Sequence, residues 1–287
     1  MKPMITESDI QSIVEKSDEI MNIINKPTEI RLINESDNKV FKIEGKKPIF
    51  AKLGLTGWGK VEFQTLIMLK EKKYNVPMPI TYLPVQDVLN EKSDYGNFKR
   101  EVGILFYFPL EGQVLEQHLT KINIRNALNF LKKLHEDKSL INEGNINYQD
   151  VEVKRGLKYI QKLFKGELAE RLQSIMIKYQ DIKIDSCFIH GGPRLEHFIF
   201  KNNQMGMIDF EGACTGDPFK DLGIFFTELL FHNISEEELI KIYFNRKLSE
   251  EEKLRLQFFK LRTFLVKKKF NPSQDVIGFI KKLINYS

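Results

Sequence analysis

The residues able to do chemistry fall into two groups. Downstream stand His190-Gly191-Gly192, then His197, then Asp209 closing the apolar pair Met207-Ile208. Upstream stand Lys52, at the end of Phe50-Ala51-Lys52, and Glu62 in the next periodic segment. An aspartate at the end of a strand offers a hard oxygen ligand, and Mg²⁺ is typically held by one or two carboxylates plus nucleotide phosphates. A strand lysine paired with a helix glutamate supplies the cation that phosphates need. Phosphoryl transfer requires a phosphate cradle, such a cation, metal ligands and a positioned acceptor hydroxyl. Each residue also has a plainer reading. Lysines end many strands, Asp209 fits a turn that caps a loop, and His197 fits a core histidine bonded to a backbone carbonyl. Order and spacing favour the chemical reading.

Those residues need elements to hold them. Residues 5 to 26 place Ile10, Ile13, Val14, Ile20, Met21 and Ile24 at helical spacing. Short β-prone runs follow at 29–32, 39–43 and 48–53, separated by turn residues. A helix is expected over 60–72, which carries Glu62, then strands at 80–84 and 102–108 joined by a polar loop over 86–100. After Pro109-Leu-Glu-Gly112 the pattern turns helical, beginning with 122–136. Ser235-x-x-Glu238 and Ser249-x-x-Glu252 read as capping boxes, and Ser273 as the cap of a last helix.

Composition sets the bounds. With 287 residues, 42% hydrophobic and 29% charged, the chain has the profile of a globular protein with ample core. No apolar run is long enough to span a membrane, and the N-terminus lacks a secretory stretch. Two cysteines, Cys187 and Cys214, form no disulfide framework, so a reducing cytoplasm is expected. A net charge of +5 does not imply nucleic acid. From Lys253 onward there are nine Lys or Arg and one acid, Asp275; this reads either as a solvated helix face or as a positive rim for an anionic substrate.

Several motifs together resemble the aminoglycoside phosphotransferase and choline kinase-like family over nearly the whole chain. They are Asn38-x-Val40-Phe41, Lys52 with Glu62, Val76-Pro-Met-Pro79, Phe106-Tyr-Phe-Pro109 and Leu131-Lys-Lys-Leu134-His135. Most specific are the 190–197 loop and Ile208-Asp209-Phe-Glu-Gly-Ala-x-x-Gly216-Asp217-Pro218-x-x-Asp221-Leu222. The resemblance implies an α+β, bilobal protein kinase-like fold, with a β-rich N-lobe over 1–108 and a helical C-lobe over 109–287. It implies ATP or GTP as donor, with Ser36 and Asn38 in the phosphate loop, Lys52 and Glu62 on the phosphates, and Phe106 and Phe108 at the nucleotide hinge. It implies Mg²⁺ on Asp209 and His197; because magnesium prefers oxygen, imidazole at 197 would favour Mn²⁺. Asp217 and Asp221 are expected to organise the loop and the following helix rather than touch substrate. The expected partners are a nucleotide and a small hydroxylated substrate, with no nucleic acid or membrane, for a monomeric protein.

Two positions depart from the family pattern. His197 stands where asparagine is usual, as it does in members acting on the 2″ position of aminoglycosides and in macrolide phosphotransferases. Gly192 stands where an aspartate orients and deprotonates the acceptor hydroxyl. General-base catalysis is typically worth about 10²–10⁴-fold, but positioning and charge neutralisation supply most of the acceleration of phosphoryl transfer. By analogy with the basic residue that many kinases carry two places after their aspartate, Arg194 is expected to reach the γ-phosphate, and Glu196 or Asp185 is a candidate replacement carboxylate. Three function classes follow: a small-molecule phosphotransferase, a nucleotide-binding pseudokinase, and a protein that uses the fold only for interaction. Aminoglycosides are polycations that want an acidic pocket; the basic C-terminal stretch opposes that, while Glu236, Glu237 and Glu238 offer an acidic edge.

Overall fold

The computed structural model describes residues 5–27, 29–35, 38–54, 58–93, 96–141, 148–230, 232, 234–270, 278 and 280. The helices are α1 (Glu7–Glu15), α2 (Asp18–Ile24), α3 (Gly59–Glu71), α4 (Lys121–Glu136), α5 (Tyr148–Leu163), α6 (Glu167–Gln180), α7 (Pro218–Leu230), α8 (Glu236–Phe244) and α9 (Glu250–Phe270). The strands are β1 (Glu29–Glu35), β2 (Lys39–Glu44), β3 (Ile49–Gly54), β4 (Met78–Ser93), β5 (Gly96–Phe108), β6 (Gln113–Val114), β7 (Cys187–Ile189), β8 (Phe198–Lys201), β9 (Gln204–Met207) and β10 (Cys214–Gly216).

The chain divides into two compact units: Met1–Gln113 with Ile199–Gly212, and Val114–Phe198 with Ala213–Ser287. The first unit is therefore discontinuous, whereas the expected lobes meet at a single boundary at 108. This discontinuity puts Asp209 in the same unit as Lys52.

The first unit is built on an antiparallel sheet in the order β1–β2–β3–β5–β4. Alternation along β2 and β3 sends Phe41, Ile43, Ile49, Ala51 and Leu53 into a core shared with Ile104 and Phe106 of β5. Ile10, Val14, Ile20 and Ile24 of α1 and α2 close that core. Residues 5 to 26 are two helices rather than one continuous pattern. Lys16 ends the first, and Ser17 starts the second by accepting from the Ile20 amide at 3.4 Å. A serine that can cap competes with helix continuation.

A second difference lies between 86 and 100, expected as a loop. There β4 and β5 run on as one long hairpin, with Leu89 opposite Arg100 and Ser93 opposite Gly96. Register shifts between Pro84 and Gln86 and between Gln86 and Leu89 interrupt the ladder. Backbone pairing holds this extension, and its sequence carries no apolar alternation that would mark it.

The second unit is helical, with a two-stranded antiparallel sheet pairing Cys214 with Ile189 and Gly216 with Cys187. Thr120 caps α4, accepting from the Asn123 amide at 3.2 Å. The box at Ser249 forms in both directions, at 2.8 and 3.2 Å to Glu252. Ser235 precedes α8 without a side-chain cap and contributes only its carbonyl, to Leu239. Ser273 lies outside the described residues. In the described part of the basic stretch, Lys253 is exposed and pairs with Glu250 at 2.5 Å, while three others are held in ion pairs. Arg255 pairs with Asp217 through Nε and Nη2 (3.0 and 2.7 Å), Arg262 with buried Glu152 (3.1 and 2.8 Å), and Lys260 with Glu236.

Candidate active site

In the first unit, β3 delivers Lys52 into a nest of carboxylates. Its Nζ donates to Glu62 of α3 at 2.7 Å and to Asp209, and lies 3.5 Å from Glu211. Lys52 and Glu62 are buried, at 7% and 4% exposure, so neither reads as a surface group. Burial works against the lysine charge, but Glu62, Asp209 and Glu211 outweigh it and hold the ammonium well above the usual lysine range. Glu62 also accepts from the Phe210 amide at 3.2 Å, tying α3 to the segment after β9. Asp209 itself has φ of 68°, a left-handed conformation that aspartate tolerates better than most residues.

Glu211 is the member sequence reading passed over. Asn38, just before β2, donates its amide to Glu211 at 2.6 Å. Glu211 lies in a single 3₁₀ turn over Phe210–Gly212, beyond the end of β9 at Met207, so no strand alternation marked it in the sequence. The Asn38 Oδ1 is buried and has no hydrogen-bond partner. Carboxylate oxygens of Glu62, Asp209 and Glu211 lie within 4.8 Å of one another. Opposite ligands around Mg²⁺ stand about 4.2 Å apart, so small side-chain shifts would bring these oxygens onto an ion. Hard oxygen donors, surplus negative charge and an orphaned carbonyl oxygen fit a divalent cation.

Ser36 lies outside the described residues. Phe106 is fully buried in the sheet core, and Phe108 packs against the same core partly exposed. Their side chains are committed to packing, and at Phe106 the strand is paired on both sides, with Ala51 of β3 and Thr81 of β4.

In the second unit, the loop after β7 is hung on one buried residue. Asp221 of α7 accepts from the backbone amides of His190 and Gly191, both at 2.8 Å, and meets His135 Nε2 at 2.9 Å. His135 Nδ1 is 2.7 Å from the Tyr243 hydroxyl. Burial would raise the Asp221 carboxyl, but hydrogen bonding and the charge of His135 hold it below the usual range. Asp217 accepts from the Phe219 amide at 2.8 Å at the start of α7. Both aspartates thus organise structure, as the sequence suggested.

Gly191 adopts φ of 86°, which lets the loop turn. Gly192 donates its amide to His190 Nδ1 at 3.3 Å, and a Cβ added there would meet nothing within 4 Å. His197 Nδ1 lies 3.0 Å from the Gly192 carbonyl oxygen, the plainer of its two readings, while Nε2 is 3.7 Å from Glu196. Arg194 is exposed and pairs with Glu196 at 3.3 Å. Asp185 is 93% exposed and sits 3.7 Å from Lys138, while Glu196 is half exposed and already paired. Neither is held as a base in place of Gly192. Of the acidic edge, Glu236 is paired with Lys260 and Glu238 with Lys121 at 2.9 Å.

The first unit thus holds a buried lysine–glutamate pair beside Asp209 and Glu211, and the second a His-Gly-Gly loop braced by a helix aspartate. The sequence profile of the phosphotransferase enzyme family matches residues 76–258, and the chain belongs to that family. No curated protein matches it in sequence. Solved structures share the fold. The amicoumacin kinase hAmiN, in complex with AMP-PNP, Ca²⁺ and Ami, is 12% identical, with TM-score 0.65 over 96% of this chain and 94% of that one. A choline/ethanolamine kinase family protein from Mesorhizobium loti is 13% identical, with TM-score 0.62 over 97% and 92%. A thermostable mutant of aminoglycoside phosphotransferase APH(4)-Ia is 13% identical, with TM-score 0.66 over 93% and 97%. The fold is the expected α+β kinase-like one. Among the described residues no helix is long and apolar enough to cross a membrane.

Proposed function

We propose that the protein transfers the γ-phosphate of ATP or GTP to a hydroxyl of a small molecule, at a rate lowered by Gly192. The buried Lys52–Glu62–Asp209 arrangement carries this reading, because a chain released from phosphate chemistry has no physical reason to bury a lysine among three carboxylates. Lys52 is assigned to the nucleotide phosphates, Glu62 to holding Lys52, and Asp209 with Glu211 to a divalent ion, Mg²⁺ or Mn²⁺. The ion, when bound, neutralises phosphate charge. Arg194 is exposed and assigned to the transferring phosphate, and Asp221 fixes the loop that presents it. His197 is assigned a metal-side role through Nε2, with Nδ1 engaged at the Gly192 carbonyl. Nucleotide complexes among the structural relatives, with AMP-PNP and Ca²⁺ in one, support a nucleotide with a divalent ion here. The reading is of a cytoplasmic monomer whose partners are the nucleotide and its acceptor.

Gly192 favours a second reading, a nucleotide-binding pseudokinase. A turnover assay pairing ATP or GTP with candidate acceptors, aminoglycosides among them, separates the two. Slow acceptor-dependent release of nucleoside diphosphate is expected. Nucleotide binding with no turnover above buffer would establish the pseudokinase instead.

A further inference from the structure

Helix α7 holds the 190–197 loop at more than its first turn. Besides Asp221, this largely apolar helix carries a second acid, Glu228. Glu228 is half-buried, and its Oε2 accepts from the Leu195 amide at 2.9 Å. Between the two acids, Phe225 packs its ring against Phe198, with centroids 5.1 Å apart. Asp221, Phe225 and Glu228 stand at i, i+4 and i+7, so one face of α7 meets the loop over about 10 Å.

These contacts divide the loop into held and unheld parts. Asp221 takes the His190 and Gly191 amides at its entry, and Glu228 takes the Leu195 amide at its exit. Leu195 is 2% exposed and Phe198 is fully buried, so the exit is fixed by packing as well. Gly192, Pro193 and Arg194 span the gap between the two carboxylates. Arg194 is exposed and directly precedes the amide that Glu228 holds, so the point from which its side chain departs is set there. A carboxylate placed half-buried in an apolar helix costs desolvation, and a charge-assisted bond to a backbone amide offsets that cost.

We propose that Glu228 is a positioning residue for the phosphoryl transfer: it fixes the loop exit so that Arg194 meets the transferring phosphate. This rests on the assignment of Arg194 to that phosphate. The bond to Leu195 needs an acceptor oxygen, which a glutamine also supplies and an alanine does not.

NMR of the full chain tests this without turnover, through amide hydrogen exchange and the Arg194 Nε resonance on adding AMP-PNP with Mg²⁺. In the parent, the Leu195 amide should be protected and the Arg194 Nε signal should move. Glu228→Ala should speed Leu195 exchange about tenfold, leave His190 and Gly191 protected, and abolish the Arg194 response. Glu228→Gln should keep both. In a coupled assay, the alanine variant should lose about 10- to 10²-fold in kcat with little change in KM for nucleotide, and the glutamine variant should recover most of it. A parent that shows the Arg194 response but no turnover would defeat the transferase reading and leave this one standing. An Arg194 signal indifferent to nucleotide, or equal in parent and alanine variant, overturns the proposal. So does unchanged Leu195 protection in Glu228→Ala, loss of protection at His190 and Gly191 as well, or a glutamine variant that behaves like alanine.

Discussion

Replacing Gly192 with aspartate should raise turnover without disturbing the fold. The structure makes this a clean substitution. A Cβ at 192 meets nothing within 4 Å, and Gly192 is not among the glycines with left-handed φ. Its two loop contacts, amide to His190 and carbonyl to His197, are made by the backbone and survive the change. Removing a glycine's freedom from the unfolded chain stabilises by roughly 0.4–1 kcal/mol, so the melting temperature should hold or rise slightly. A restored base is worth about 10²–10⁴-fold, which lowers the barrier by roughly 3–5 kcal/mol. Gly192→Asn is the necessary control, since it has the same shape and cannot take a proton. In a coupled assay at saturating nucleotide and acceptor, the Asp variant should exceed both parent and Asn variant in kcat by about 10² or more. Equal rates for Asp and Asn would refute the reasoning, because the deficit would then lie in arrangement rather than in the base.

Two further expectations rest on the second unit. Asp221→Asn loses a buried charge that serves two amides and His135; it should cost about 3 kcal/mol in denaturant unfolding and expose the His190 and Gly191 amides to hydrogen exchange, whereas retained protection would show the loop is held otherwise. Glu152 is depressed from 4.5 to about 2 by Lys220 and Arg262, overcoming burial. Its contribution is therefore full above pH 4.5 and is lost as pH falls toward 2, on the order of 3 kcal/mol in all; Glu152→Gln should flatten that part of the stability–pH curve, and an unchanged acid slope would contradict it.

What could be read ahead depended on the range of the signal. Strands β1 to β3 and helix α3 were legible because apolar spacing and turn residues are local. The break at Lys16-Ser17 was missed because the apolar period runs across it, and only a cap hydrogen bond divides the helices. The β4–β5 extension was missed because pairing between polar strands leaves no trace in hydropathy. Lys52, Glu62 and Asp209 were found through their motifs. Their meeting depends on residues 199–212 belonging to the same compact unit as the N-terminal sheet, a long-range fact that no local window holds. Glu211 and its bond to Asn38 became visible only with that closure. Asp185 was plausible by position alone, and the structure shows it exposed, 3.7 Å from Lys138.

The charge of the Lys52 cluster has a consequence for how ligands enter. One ammonium faces the carboxylates of Glu62, Asp209 and Glu211, which leaves a surplus of negative charge where phosphates are to bind. At an effective dielectric near 20 and a separation near 5 Å, each carboxylate repels a unit phosphate charge by about 3 kcal/mol. A nucleotide stripped of metal should therefore bind poorly, and a divalent ion should restore it. Glu211→Gln removes one charge while keeping an oxygen to accept from Asn38. In calorimetry with excess chelator, this variant should bind free nucleotide at least about tenfold more tightly than the parent. With Mg²⁺ or Mn²⁺ present the advantage should vanish or reverse, because a neutral amide oxygen holds a divalent ion more weakly than a carboxylate. If Glu211→Gln weakens nucleotide equally with and without metal, Glu211 acts by holding Asn38 and its loop, and the electrostatic account of metal dependence fails.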